Sequence, residues 1–514
     1  MSDILDKCNE KAAEGVEYRT EVSESVMFEG DVSLDHLGDS VYCLSHATRH
    51  EQIFGGPILK EAFQGVNQGL LSSLPSGLLH DLSAKHFLMR AGESKGLHQE
   101  RLEELVRGAA LRRPSFKLLR LLLTDRCNLA CSYCKVIPNV HAPRHQPLSE
   151  QRLREILEFF FANSEEFMPK IVQITGGEPL LHLKTIEQVV QSVRALSRPS
   201  ENIWIVLATN GTLVTPTVAT YLARYNIKCI VSLDGPAAVN DLLRRNLRHQ
   251  GTFEAVDRGI KLLKTAGVEV SISSVLGRHN IDEVDQIVEF LLERYHPTGL
   301  GVNFMKPPTP GERDFEYLVD PVLYAAKIYG AHKRFREQGL FLELVYRKVA
   351  PFVEQQCRLH DCGAAAGTNL NVDSRGMIGP CKSFLVMGRL ALSGLDTEEY
   401  REKVVTEWCR RSPICREECA GCPARGICGN GCAYEAFINS GDSKAVDPKN
   451  CAYSKTFHAL MLEDLSEIMR RTGSLDGRHY AIAAPEHRRQ LLGEVIARPN
   501  TLSYSIGHQT QEKD

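Results

Sequence analysis

Cys127-Asn128-Leu129-Ala130-Cys131-Ser132-Tyr133-Cys134 gathers three thiols in one short stretch. It follows a largely apolar run over 118–123 that reads as a buried strand. The C-x3-C-x2-C spacing supplies three thiolates, whereas a cube of four irons has four corners to be ligated. One corner is thus left for a substrate or cofactor. Structural zinc would want a fourth Cys or His nearby, and none follows at finger-like spacing.

Outward from this loop, apolar β-rich runs alternate with helical patterns, the sign of repeated βα units and a parallel sheet. Strands are expected over 118–123, 171–175, 203–209, 227–233, 268–275 and 301–304. Helices are expected between them, over 150–162, 185–196, 215–225, 253–266 and 281–295. Six strands are too few for a complete eight-stranded barrel, so the α/β fold class is an open, partial (β/α)6 barrel of TIM type. Chemistry in such folds collects at the carboxyl ends of the strands.

Polar motifs occupy those ends. Ile174-Thr175-Gly176-Gly177-Glu178-Pro179 closes the second strand; its glycines let backbone approach a ligand closely, and Glu178 offers an acceptor. Taken alone, such a run is an ordinary strand-end turn. Thr209-Asn210-Gly211 closes the third strand and Ser232-Leu233-Asp234-Gly235 the fourth. Asp234 suits either a ligand or a turn cap. Arg244 suits either a carboxylate partner or a surface helix charge.

The cysteine loop, with the aromatic Tyr133 before its last thiol, resembles the signature of the radical S-adenosylmethionine (SAM) enzymes. The resemblance implies that Cys127, Cys131 and Cys134 hold a [4Fe-4S] cluster whose open iron binds the methionine end of SAM. One-electron cleavage would then release a 5'-deoxyadenosyl radical that abstracts a hydrogen atom. It also implies SAM contacts for Tyr133, Gly176, Gly177, Glu178, Asn210, Ser232, Asp234 and Arg244. The family pattern His-Asp-x-x-Arg appears here as Asn240-Asp241-x-x-Arg244, without the His.

A second set of cysteines follows the barrel: Cys362-x13-Gly376-x4-Cys381, then Cys419-x2-Cys422-x5-Cys428-x3-Cys432-x18-Cys451. This resembles the SPASM domain, a C-terminal extension of radical SAM enzymes that modify peptides and proteins. By resemblance, Cys357, Cys362, Cys381 and Cys432 would hold a first auxiliary [4Fe-4S] cluster. Cys419, Cys422, Cys428 and Cys451 would hold a second, making three clusters in all. Cys8, Cys43, Cys229, Cys409 and Cys415 are left over; Cys229 reads as a small core residue and Cys415 as a competing ligand.

The bulk properties fit a soluble chain of two or three domains: 514 residues, 43% hydrophobic, 24% charged. A net charge of -3 gives no reason to invoke nucleic acid, and no segment has the length of a membrane span. The polar, acidic start does not read as a secretory signal. Sixteen cysteines then point to metal chemistry in a reducing cytoplasm rather than to disulfides.

The expected divisions are 1–112, a cap or peptide-recognition module; 113–340, the radical SAM barrel; 341–455, the SPASM region; and 456–514, a helix and tail. The first resembles the winged-helix-like module with which relatives grip a leader peptide. The tail should hold a short helix over 485–497 and a disordered end from 507. The resemblance implies an oxidoreductase that modifies a peptide or protein substrate and receives electrons from a donor such as flavodoxin or ferredoxin. Sulfatase maturases of this plan place an Asp after the thiol matching Cys381, whereas this chain has Lys382. A thioether or carbon–carbon cross-link is therefore the leading expectation, with formylglycine formation and peptide epimerisation as alternatives. A noncatalytic iron–sulfur electron carrier is the alternative from another class, and it would need no SAM pocket.

Overall fold

The computed structural model describes residues 26–472, apart from 29, 38–40, 50, 68–73, 91–96, 137–147, 166–168, 199, 310–314, 337–341 and 354–355, and then 503–505. Cys8, the helix expected over 485–497 and the tail from 507 lie outside the described residues.

All six expected barrel strands form: β1 Leu118–Leu122, β2 Lys170–Thr175, β3 Ile203–Thr209, β4 Lys228–Ser232, β5 Val270–Leu276 and β6 Leu300–Phe304. They pair in parallel and in chain order, with Leu118 opposite Ile171, Lys170 opposite Ile203, Val206 opposite Lys228, Cys229 opposite Val270 and Ile272 opposite Leu300. Parallel neighbours need a crossover, and the helices α1 Glu150–Ala162, α2 Leu183–Leu196, α3 Pro216–Arg224, α4 Phe253–Thr265 and α5 Val284–Tyr295 provide it. Their starts are written locally. Ser149 accepts a hydrogen bond from the Arg152 backbone N–H, and Thr215 caps α3 with Pro216 in its first turn. Their apolar stripes close one core with the strands, including Leu119, Ile156, Val189, Val231 and Leu291. Cys229 is fully buried in it, as a small apolar residue of β4.

The sheet does not stop at β1. Strand β7, Asn369–Val372, lies parallel to β1 with Asn369 opposite Leu118, and β8, Ile378–Gly379, follows antiparallel. The cysteine-rich region is thus an extension of the barrel sheet. A long helix, Pro448–Thr472, packs along the helix Pro321–Phe335, where the Tyr329 hydroxyl and the Arg336 guanidinium both donate to the buried Asp464 carboxylate.

Before the barrel, a three-stranded antiparallel sheet (Val32–His36, Tyr42–His46, Glu51–Gly55) packs with the helices Ile58–Asn67 and Ser76–Ala84 around Phe28, Leu44, Leu59 and Phe87. A buried Asp31–Arg425 ion pair of 2.7 Å ties this part to the cysteine-rich region. Among the described residues no helix is long and apolar enough to cross a membrane.

The helical shell carries an acid-sensitive pair. Burial pushes His332 and His458 down to about 4 from an ordinary 6.5. Neutral imidazoles held this way contribute stability that is present above the unfolded value and lost as pH falls toward the folded one, on the order of 3 kcal/mol for each group. The thermal unfolding midpoint should therefore fall between about pH 6.5 and pH 4. His458→Leu should flatten part of that fall, and an unchanged slope in the variant would place the titration elsewhere.

Candidate active site

The cysteine loop leaves β1 at its carboxyl end and is anchored first by backbone. The Gly177 N–H donates to the Thr124 carbonyl at 2.7 Å, and the Glu178 N–H donates to the Arg126 carbonyl at 2.8 Å. The exit of β2 thus runs alongside the loop. A Cβ on Gly177 would stand 2.0 Å from the Arg126 carbonyl oxygen, and one on Gly176, at φ 146°, 2.5 Å from that of Thr124. Glycine is required here because the loop's own backbone fills the space a side chain would need. The close approach expected toward a ligand is, in the first place, an approach to the cysteine loop.

Glu178 is wholly buried and points away from solvent. It accepts from the Leu180 N–H at 3.0 Å, the Thr209 hydroxyl at 2.7 Å and the Asn210 N–H at 2.8 Å, joining the ends of β2 and β3. Burial raises its carboxyl above the usual range, and these donors pull against that rise. Asn210 donates to the Asn128 side chain at 2.9 Å and toward the Cys127 sulfur at 3.8 Å.

Asp234 has a structural task. Its carboxylate accepts from the Tyr133 hydroxyl at 2.5 Å, Arg244 Nε at 2.8 Å and the Val275 N–H at 2.9 Å. The Arg244 guanidinium also stands 5.3 Å from the centre of the Tyr133 ring. The carboxylate partner of Arg244 is therefore in this chain, and together the three side chains hold the cysteine loop over β4. Asn240 accepts from the Asp234 N–H at 3.3 Å. Ser232 is half-buried at the end of β4.

Cys127, Cys131 and Cys134 lie close enough to act on one another's charge, and burial pushes Cys131 up to about 11. Bound iron would take these groups as thiolates whatever their free acidity. Two further polar groups have no partner among the described residues: both carboxylate oxygens of Asp125 and both ring nitrogens of His279. Asp125 precedes the loop, and His279 follows β5, near enough to Asp234 to feel its charge. Buried polar groups without a partner, one two residues before Cys127 and one near Asp234, are of the kind a polar ligand would engage. His279 escaped the reading of the sequence because an isolated His after a strand carries no spacing signal.

The other thiols form two sets. Cys362, Cys381 and Cys432 pack around Ala364, Phe384, Trp408 and Tyr434, and burial pushes Cys362 up to about 11. Cys419 neighbours Cys422 and Cys428, and Cys422 neighbours Cys451. The Asn450 side chain donates to the Cys428 sulfur at 3.1 Å. Ligands of a cube each reach a different iron and so stand apart; among the described residues no group of His, Cys, Asp or Glu gathers as it would around a single ion.

Cys357 is not brought to the first set. It is fully buried among Leu102, Val106, Leu359 and Ile414, and its charged neighbours are Asp31 and Arg425. The reason lies in strand alternation. Cys357 and Leu359 point together into the apolar layer under the helix Leu97–Leu111, and the chain turns toward the cysteine sets only after them. Cys43 and Cys409 are buried too, Cys409 with its thiol 3.1 Å from the Ala365 carbonyl, while Cys415 is exposed.

Comparison with known proteins agrees with this geometry. Residues 121–291 match the model of the radical SAM superfamily. Those residues form a radical SAM domain. It is 23% identical to the cysteine-type anaerobic sulfatase-maturating enzyme of Clostridium perfringens strain 13, over 62% of this chain and 89% of that one. It is 26% identical to the mycofactocin maturase MftC of Mycolicibacterium smegmatis, over 64% and 80%. Among solved structures, anSMEcpe with bound AdoMet superposes with a TM-score of 0.58 at 18% identity, covering 70% of this chain and 99% of that one. Streptococcus suis SuiB bound to its precursor peptide SuiA gives 0.50 at 16% identity, covering 83% and 99%. The chain is a radical SAM enzyme, and its cysteine-rich extension fits the SPASM plan.

The strand-exit geometry has a direct test. Gly177→Ala should force the Arg126–Cys127 backbone aside, so the iron bound by this loop and SAM affinity should fall together. A variant with full iron content and parental SAM binding would show that the loop can yield.

Proposed function

We propose that this enzyme is a maturase that abstracts hydrogen from a peptide or protein and installs a cross-link, either thioether or carbon–carbon. The observation carrying this reading is the position of Lys382. It lines a cleft with Lys135, the residue after Cys134, and Lys135 reaches the Ser383 hydroxyl at 3.4 Å, so the SAM-side loop and the helix after Cys381 lie against one another. SAM and an iron–sulfur cluster, when bound, supply the 5'-deoxyadenosyl radical there. Cys127, Cys131 and Cys134 would hold that cluster, with Tyr133, Asp234 and Arg244 fixing the loop around it. Gly176, Gly177, Glu178, Asn210 and Ser232 would shape the SAM side.

The sets Cys362–Cys381–Cys432 and Cys419–Cys422–Cys428–Cys451 would hold two auxiliary clusters, with Cys357 kept in its apolar layer. They would accept the electron left after hydrogen abstraction, a step an oxidative cross-link demands. Peptide substrates are supported by the maturases among the relatives and by the SuiA-bound SuiB structure. Lys382 in place of the carboxylate that sulfatase maturases of this plan carry weighs against formylglycine formation. An external donor such as flavodoxin or ferredoxin would reduce the SAM-side cluster.

Anaerobic reconstitution of the full chain should load about twelve irons per chain, from three cubes. Replacing Cys127, Cys131 and Cys134 together with Ala should remove about four of them and abolish 5'-deoxyadenosine formation. Continued reductive SAM cleavage by that variant would overturn the assignment.

A further inference from the structure

Between the SAM-side loop and the helix that follows Cys381 lies a small cleft lined by Lys135 and Lys382, with Arg120 and Lys306 as further cations nearby. Arg120, in the middle of β1, donates to Gln173 at 2.5 Å and to Asn371 at 3.0 Å, its register partners on β2 and β7. Lys135 follows the cysteine loop and stands 5.0 Å from the Tyr434 ring centre, with its ammonium 3.4 Å from the Ser383 hydroxyl. Lys306 follows β6 and lies 3.5 Å from Glu435. Lys382 opens the short helix Lys382–Val386 and lines a small cleft with Lys135, Ser383 and Tyr434.

These cations are neighbours of one another. Lys382 feels Arg120 and Lys135, and Lys135 feels Lys306. Glu435 is the carboxylate that answers Lys306, and it is shared with Lys449 at 3.3 Å. Among the described residues no hydrogen bond or ion pair holds the Lys382 ammonium. Anionic clusters on either side would offset part of this charge. Even so, a half-buried ammonium with cationic neighbours and no acceptor calls for an anion in the cleft.

We propose that this cleft is a carboxylate-binding subsite in which Lys382 and Lys135 clamp an acidic side chain of the substrate, next to the position where hydrogen is abstracted. The inference rests on the peptide-maturase reading for the kind of molecule bound, and on the cation geometry for its charge. Each hydrogen bond from an ammonium to a carboxylate is charge-assisted and acts here in a site partly closed to water. An acidic residue near the modified position would therefore raise affinity and fix the register of the peptide.

The test uses anaerobically reconstituted, SAM-loaded full-length enzyme and two pairs of probes. Glutarate and its uncharged diamide are titrated calorimetrically. Two fluorescent pools of dodecapeptides, alike except for a central Glu-Glu or Gln-Gln, are compared by anisotropy. Glutarate and the Glu-Glu pool should each bind about tenfold more tightly than their neutral counterparts, with the difference shrinking at high salt. Lys382→Met and Lys135→Met should each erase most of that preference, and Lys382→Arg should restore it, with iron content measured for every variant. Equal binding of the Glu-Glu and Gln-Gln pools would overturn the subsite while leaving the peptide reading intact. Binding of glutarate without either pool would support the subsite and remove the peptide reading. Failure of glutarate and both pools alike would overturn the subsite, as would a preference that survives in both Met variants. Loss of iron with an unchanged preference would also overturn it, since the lysines would then serve the clusters alone.

Discussion

The site depends on one backbone contact, the exit of β2 lying against the exit of β1. Two hydrogen bonds, from Gly177 to Thr124 and from Glu178 to Arg126, extend the parallel pairing past the last ladder residues and into the cysteine loop. Loops are ordinarily the most mobile part of a barrel. This one begins as a continuation of the sheet, so the first thiol inherits the rigidity of the strands. Glu178 then passes that order to β3, and Asp234 secures the far side of the loop from β4.

The second constraint is that the barrel and the cysteine-rich region share a sheet. An open barrel leaves unpaired backbone at the edge of its first strand. Strand β7 covers that edge by pairing with β1, and it comes from the region that bears Cys362 and Cys381. Arg120 is bracketed across the seam by Gln173 and Asn371. The relative position of the SAM-side loop and the next thiol set is therefore set by ladder hydrogen bonds between β1 and β7.

Much of this was legible in the sequence because it rests on local signals. Apolar runs of strand length alternating with amphipathic stretches disclosed six strands and five helices, displaced only at their ends. Helix α2, for instance, is preceded by a tight turn over Pro179–His182. The thiol sets are legible because their spacing is short and repeated. Several features were hidden, each for a physical reason. Strand β7 is four residues of mixed polarity, Asn-Leu-Asn-Val, and its partner lies some 250 positions earlier, so no local pattern discloses the pairing. Cys357 sits close to Cys362 in the chain, but closeness along an extended segment does not turn a side chain to the same face. The cations around the cleft come from positions 120, 135, 306 and 382, and only the folded sheet makes them neighbours. Asp234 and Arg244 were read as open between ligand and scaffold, and it took the geometry to show that they bind each other.

The segment Cys428-Gly429-Asn430-Gly431-Cys432 joins the two later thiol sets, and its three middle residues take φ values of 66°, 59° and 56°. Such a run is a short left-handed turn, which chains of L-residues avoid unless glycine relieves the crowding. There is no room for anything else: a Cβ on Gly429 would stand 2.3 Å from the Asp361 backbone nitrogen, and one on Gly431 2.4 Å from the Asn450 Cβ. With both glycines already pressed against neighbouring chain, the turn can neither lengthen nor unwind. It behaves as a fixed gauge block, holding one thiol of each set at a constant separation. An insertion or deletion within it would therefore disturb both sets at once.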